Sequence, residues 1–243
     1  MPYGPERAAR LGSVLEVIYL VFNEGYAATV GDDWLRPGLC EDALRLARLL
    51  AGLMPREPEA HGLAALLELQ ASRTAARTGP DGAPVLLADQ NRARWDRLLI
   101  RRGFAALLRA SETAAETGQA LGPYALQSAI AACHARAARY EDTDWAAIVA
   151  LYGRLAALTP SPVVELNRAV AVSMAEGPAA GLVLVDALAA EPALKGYHLL
   201  PSVRGDLLER MGRTDEARAE FVRAAELTRN ERERALLLGR AGR

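Results

Sequence analysis

The sequence predicts an all-α protein, and three observations carry that prediction. Ala, Leu, Arg and Glu dominate the 243 residues while only 5% are aromatic, and β-branched residues are sparse, which favours helix over strand throughout. Apolar residues recur at intervals of three and four, as in Leu39, Ala43, Leu46, Leu50 and Leu53. The stretch Tyr197 to Leu227 reads as two antiparallel helices joined at Met211-Gly212-Arg213, with small residues (Gly205, Ala217) set among bulky ones (Leu207, Leu208, Phe221, Leu227) as two facing helices require.

Taken in order, residues 6 to 24 form a first helix whose Leu11, Val14, Leu15, Val17, Ile18, Val21 and Phe22 cover a wide arc, so it is expected to be buried on most sides. Gly25 supplies its stop, and a polar loop with Gly31, Asp32, Asp33 and Pro37 follows. A second helix spans Leu39 to Leu53 and is broken by Pro55 and Pro58. A third runs from Glu59 to about Arg77, and Gly79-Pro80-Asp81-Gly82 turns the chain. Val85-Leu86-Leu87 is too short to classify. Asp89 is placed to cap a fourth helix, Gln90 to about Thr117, which Gly103 is expected to interrupt.

Gly118 and Gly122-Pro123 separate an N-terminal non-repeat half, residues 1–121, from a second half, residues 122–243, within one continuous domain. Three hairpins follow: Tyr124 to Tyr140 with Thr143 to Leu158, Pro162 to Ala175 with Pro178 to Ala189, and Gly196 to Met211 with Thr214 to Leu227. Thr214 is expected to cap the last of these, and prolines open several helices at a position where a missing N–H costs nothing. Gly212, Ala217, Phe221 and Ala224 resemble the Gly, Ala, bulky aromatic, Ala series of a tetratricopeptide (TPR) repeat. Thr159 precedes Glu191 by 32 residues and Gly177 precedes Gly212 by 35, near the period of about 34 of that class. The expected architecture is a TPR-like right-handed superhelical array of antiparallel hairpins, preceded by an irregular helical bundle. Asn230 to Arg240 closes it as a capping helix with its polar ERER in solvent.

Charge and motif content narrow the function. The net charge of −1 provides no global field for nucleic acid. Cys40 and Cys133 lack CxxC spacing, which argues against a disulfide framework or zinc site and fits a cytoplasmic protein. Adjacent Cys133 and His134 point in different directions on a helix and have no third ligand. No signal peptide, membrane span, Walker loop or Gly-x-Ser-x-Gly elbow is present, so no cofactor and no catalytic group is expected.

The most unusual segment is Asp89-Gln90-Asn91-Arg92-Ala93-Arg94-Trp95-Asp96. On one helix Arg94, Arg97 and Arg101 would share a side and offer three guanidinium groups to an acidic surface or to phosphates. The competing reading is an N-cap, a buried Trp95 and a solvated arginine face. Asn23, Glu24 and Tyr26, at the end of the first helix, either bind something or tie down the loop that follows. Asp142 and Asp144 read as helix caps, and Trp145 as core.

Several of these segments, VIYLVFNEGY, ALRLAR, DQNRARWD, GPYALQSAIAACHA, TDWAAIVALYGRL and PSPVVELNRAVAV, resemble in this order the C-terminal region of extracytoplasmic function (ECF) sigma factors with a tetratricopeptide-like extension. This is group 42, found beside small DGPF- or YCII-related proteins. That family usually has Asp where Asn91 stands and Ser where Ala93 stands. Nothing in the chain resembles sigma regions 2 and 4, so it is either an excised domain or a stand-alone copy. The resemblance implies a non-enzymatic regulatory domain that tunes transcription initiation through contacts with sigma regions 2 and 4, RNA polymerase, or both. DNA would be touched only by the sigma regions. Asp89, Gln90, Arg92, Arg94, Trp95, Asp96, Arg97 and Arg101, with the Asn23, Glu24 and Tyr26 corner, are the docking candidates. The alternative is a generic TPR-like scaffold for a peptide or an unrelated protein.

Overall fold

The computed structural model describes residues 5–31, 34–80 and 82–242. Asp32, Asp33 and Asp81, expected in turns, lie outside the described residues. The protein is all-α, with eleven α-helices, short 3-10 turns and no strand beyond two isolated bridges among the described residues. No helix is long and apolar enough to cross a membrane. The chain divides into two compact units, Met1–Ala28 with Leu35–Arg77 and Asp89–Ala135, and Thr29–Trp34 with Thr78–Ala88 and Arg136–Arg243.

The first unit holds α1 (Pro5–Tyr26), α2 (Pro37–Leu53), α3 (Pro58–Ala71), α4 (Arg97–Thr117) and nearly all of α5 (Pro123–Arg136). Its axis is α3, buried continuously from Gly62 to Leu69 because its neighbours close in from several directions, with the one carboxylate in that span, Glu68, paired to Arg48 of α2 at 2.7 Å. Two glycines on this axis and facing it set the spacing. A Cβ on Gly62 would stand 2.7 Å from the Ala125 nitrogen of α5, and one on Gly103 of α4 would stand 2.6 Å from Leu69 Cγ. Gly103 therefore does not interrupt α4, which runs through it; it brings α4 against α3. Glu59, in the first turn of α3, accepts from the Tyr124 and Ala125 N–H groups at 2.8 and 3.1 Å and so caps α5 from outside.

Several boundaries differ from the sequence expectation. α1 is not buried on most sides: Leu15, Ile18 and Phe22 face the core, whereas Val17 is 59% exposed. α2 and α3 pack on its inner face and Tyr19 meets Tyr124 and Gln127 of α5, while Val14 and Leu20 stay exposed with Val17. The third helix ends at Ala71 and is followed by a separate 3-10 turn, Thr74–Ala76. α5, expected to pair in the first repeat hairpin, belongs to the first unit, where its N-terminus is fastened to α3.

The second unit holds α6 (Trp145–Leu158), α7 (Pro162–Ala175), α8 (Pro178–Ala187), α9 (Leu199–Arg210), α10 (Thr214–Leu227) and α11 (Glu231–Ala241), each packed on the next in sequence. Asp144 caps α6 through the Ala147 N–H at 2.9 Å, while Asp142 pairs with Arg139 instead. Trp145 is half-buried, edge-on to Tyr140. The core joins Leu166, Leu182, Val185, Leu207, Leu208 and Phe221. Phe221 fills the space left by Gly205, where a Cβ would lie 2.7 Å from its ring.

The α9–α10 turn follows the expected sequence logic in part. Gly212 takes φ of 74° and the Arg213 N–H reaches back to Leu208 O at 2.9 Å, closing α9. Thr214 does not cap α10. It already lies in the first turn, Arg213 holds the cap position without a side-chain bond, and Glu216 instead pairs with Arg213. The ERER of α11 is only half solvated. Glu233 accepts from His198 and Thr228, and Arg234 donates to the carbonyls of Ala225 and Thr228, so two of the four side chains fasten α11 down.

Candidate functional site

The two segments singled out by sequence meet in the first unit through a ladder of rings and guanidinium groups. At the end of α1, Phe22 stacks on Tyr26 with centroids 5.4 Å apart. Arg77 covers the Tyr26 ring at 3.5 Å and donates to the Tyr26 carbonyl. Arg73 lies between two rings, 5.9 Å from Tyr26 and 5.8 Å from Trp95, and Arg92 covers Trp95 at 4.6 Å. Such contacts gain about 0.5 to 2 kcal/mol each, more as water is excluded. Burial pulls the Arg77 guanidinium below its usual range, with the neighbouring Arg73 acting in the same direction.

Local chemistry explains why DQNRARWD is not one helix. Asn91 accepts from the Ala93 N–H at 3.0 Å and starts a 3-10 turn, Arg92–Arg94, which ends at Trp95 in extended geometry. The Asp96 N–H donates to Ser72 O at 2.8 Å, pinning the segment to the end of α3. Asp96 then caps α4 by accepting from Leu98 and Leu99 N–H at 2.8 and 3.0 Å. Asp96, not Asp89, is thus the cap of the fourth helix, and the expected Gln90 start moves to Arg97. As a result Arg94 does not share a helix with Arg97 and Arg101.

The candidate residues separate into three groups. Gln90, Trp95, Arg92 and Tyr26 are built into the interior or its edge, with Trp95 only 4% exposed. Arg92 also donates to the His134 carbonyl at 2.5 Å, tying the segment to α5. Asp96 and Glu24 serve local structure, Glu24 through an ion pair with Arg36 at 2.9 Å. Asp89, Asn23, Arg94, Arg97 and Arg101 are exposed. Gly25, expected to stop α1, lies inside it instead and is buried, because a Cβ there would stand 2.8 Å from the Cys40 nitrogen.

The outward face begins with Arg94 and continues along the first turns of α4 as Arg97, Arg101 and the adjacent Arg102, with Leu98 and Leu108 exposed beside them. None of these four arginines enters a salt bridge among the described residues; farther along α4, Arg109 pairs with Glu112 and Glu116. A cation in the first turn of a helix, as Arg97 is in α4, opposes the dipole, and the neighbouring Asp96 is engaged in capping.

Arg73, Arg77 and Arg102 are absent from the candidates that the sequence offers, and His134 enters there only as a metal ligand. Burial first, then Arg73 and Arg92, hold the His134 imidazole far below its ordinary value, down to about 3. Arg73 and Arg77 stand one helical turn apart before a Gly-Pro turn, a spacing that marks a shared face but names no ring for them to cover. Among the described residues no group of three His, Cys, Asp or Glu side chains is placed to hold a metal ion.

Fold and site define a helical protein with a basic exposed face and a partly buried arginine–aromatic ladder. Residues 10–111 match the model of DUF6596, a family of unknown function, and this stretch contains Tyr26, Arg73, Arg77 and the whole DQNRARWD segment. The uncharacterized protein R00370 of Rhizobium meliloti (strain 1021) is 49% identical over 236 residues, covering 97% of this chain and 54% of that protein. The chain thus spans about half the length of the curated relative it matches.

Proposed function

We propose that this chain is a regulatory helical domain of an ECF sigma factor, acting in the cytoplasm on transcription initiation by docking sigma region 2 or 4, RNA polymerase, or both. The observation that carries this reading is the exposed set of Arg94, Arg97, Arg101 and Arg102, which lacks carboxylate partners among the described residues and of which Arg97 stands in the first turn of α4, where the dipole repels a cation. An acidic partner surface relieves that repulsion, and the neighbouring Leu98 gives it apolar area to cover. The ordered resemblance of the motifs to group 42 names the partner. In this reading the arginine–aromatic ladder holds the docking face rigid and DNA is bound by the sigma regions alone. The domain itself carries no catalysis and no cofactor.

The test is transcription by a full-length protein of this kind carrying Arg94→Glu with Arg97→Glu. The expected result is loss of activity with an unchanged circular-dichroism spectrum and retained folding. Normal transcription by the double variant removes this face from consideration. The rival scaffold reading is separated by a pull-down with sigma region 2 and region 4 fragments, since a general peptide-binding scaffold retains neither.

A further inference from the structure

The surface where α1 and α2 meet carries two matched stripes. On α1, Arg10, Val14, Val17, Val21 and Glu24 follow one another at intervals of four, three, four and three. On α2, Asp42, Leu46, Leu49 and Leu53 keep the same spacing, and Arg56 continues it just past the helix end. That spacing holds a row on one side of a helix. The rows lie side by side: Gly25, in line with Val14 and Val21, would set a Cβ 2.8 Å from the Cβ of Leu39, which is in line with Leu46 and Leu53. In this antiparallel register Val17 comes level with Leu49 to within about half a turn.

Six aliphatic side chains thus form one strip, with Arg10 and Arg56 at one end and Glu24 and Asp42 at the other. Val14, Val17, Leu46, Leu49 and Leu53 are 38% to 66% exposed. The strip bares about 500 Å² of aliphatic surface, as much as the larger patches on monomers, and with its charged ends it approaches the roughly 800 Å² per partner of a specific interface. Glu24 and Asp42 hold local partners, Arg36 at 2.9 Å and Arg45 at 3.2 Å, in largely solvated pairs that contribute little and can be exchanged. Arg56 enters no salt bridge among the described residues.

A two-fold axis crossing both helices at Val17 and Leu49 lays the strip on its own copy with opposite charges in contact. Each helix then runs antiparallel to its counterpart, Arg10 faces Glu24, and Arg56 faces Asp42. The other face-to-face two-fold, along the helices, sets arginine on arginine and is disfavoured.

We propose that this face is the interface of a homodimer, in which α1 and α2 of two copies form a four-helix bundle. Val17 and Leu49 each meet their own counterpart on the axis. The proposal does not rest on the arginine face of α4.

The test is sedimentation of the full chain at about 1 to 100 µM, where interfaces of micromolar affinity or better assemble. A species of twice the chain mass is expected. Val17→Glu, at an exposed position, sets two carboxylates face to face on the axis and is expected to weaken the dimer by about tenfold or more with an unchanged circular-dichroism spectrum. Leu49→Glu, on the other helix, is expected to do the same. Mixing Val17→Glu with Val17→Lys is expected to restore a dimer containing one of each, because the axis pairs this position with itself. A chain that stays monomeric at about 100 µM, well above the concentration that a specific interface of this size requires, overturns the proposal. So does a dimer that either glutamate variant leaves unweakened, or a glutamate–lysine mixture that stays monomeric. Binding of a sigma region 2 or 4 fragment to a monomeric chain, abolished by Val17→Glu, assigns the face to that partner and equally overturns the dimer.

Discussion

The guanidinium of Arg92 lies 4.6 Å from the centroid of the Trp95 indole, three residues along the same segment, and donates onward to the His134 carbonyl of α5. This contact turns a polar, arginine-rich stretch into part of the interior. Trp95→Ala is expected to cost about 3 to 5 kcal/mol, as for other buried aromatic truncations. Arg92→Ala should cost about 1 to 3 kcal/mol through the lost stacking and hydrogen bond. Urea unfolding of both variants measures this, and wild-type midpoints would show that the segment is not structural.

The outward arginines behave oppositely. Arg97→Glu places an acid in the first turn of α4, where the helix dipole favours it, and is expected to leave stability level or raise it by about 0.3 to 1 kcal/mol, most at low salt, while Arg101→Glu, beyond that turn, is expected to leave it level. A thermal midpoint lowered by either change would mean that these side chains hold the fold together.

The capping of α5 by Glu59 is a contact between distant segments and is sensitive to size and charge. Gly122→Ala sets a Cβ 2.5 Å from the Glu59 carboxyl carbon, and Glu59→Ala leaves the N–H groups of Tyr124 and Ala125 without their acceptor. Each is expected to cost about 1 to 3 kcal/mol. Burial raises the Glu59 pKa more than its backbone hydrogen bonds lower it. The native state therefore binds this proton more readily than the unfolded chain does. The associated stabilisation is full below the ordinary carboxyl pKa and is lost as pH rises through the raised one. Glu59→Gln should remove that part of the pH profile in denaturant titrations.

His134 works with the opposite sign. Its pKa is held down to about 3, so the native state excludes a proton that the unfolded chain takes up below about 6.5. Its contribution is present above that unfolded value and is lost as pH falls toward the folded one, at no more than about 1.4 kcal/mol per pH unit. Comparing wild type with His134→Gln at neutral and mildly acid pH tests this. The wild type should lose stability faster, and an NMR titration should find a neutral imidazole at pH 5.

Much of the fold was legible because its signals are local. Pro162 and Pro178 each open a helix as expected, Gly212 ends one with a positive φ, and Gly205 with Phe221 form the close pair their residue types require, while Pro37, Pro58 and Pro123, read as loop, breaker and boundary, also turn out to open helices. Boundaries went astray where a distant contact took over a local signal. Gly25 looked like a helix stop and is a close-approach glycine against Cys40. Asp89 looked like a cap, yet Asp96 performs that role because the Ser72 carbonyl pins the chain at that point. The docking candidates show the same division, since Arg73 stands 22 positions before the indole it covers and no periodicity relates the two.

What the sequence determined by itself is the all-α class, most of the helices and the apolar stripes that build each unit's core. These follow from propensity, periodicity and end signals carried within a few residues. Tertiary structure alone decided which arginines are inside and which are out. Arg73, Arg77 and Arg92 cover rings contributed by or tied to other elements, while Arg94, Arg97 and Arg101 face solvent. A guanidinium is equally able to stack in the interior or to hydrate, and only the neighbours that folding brings to it select between the two.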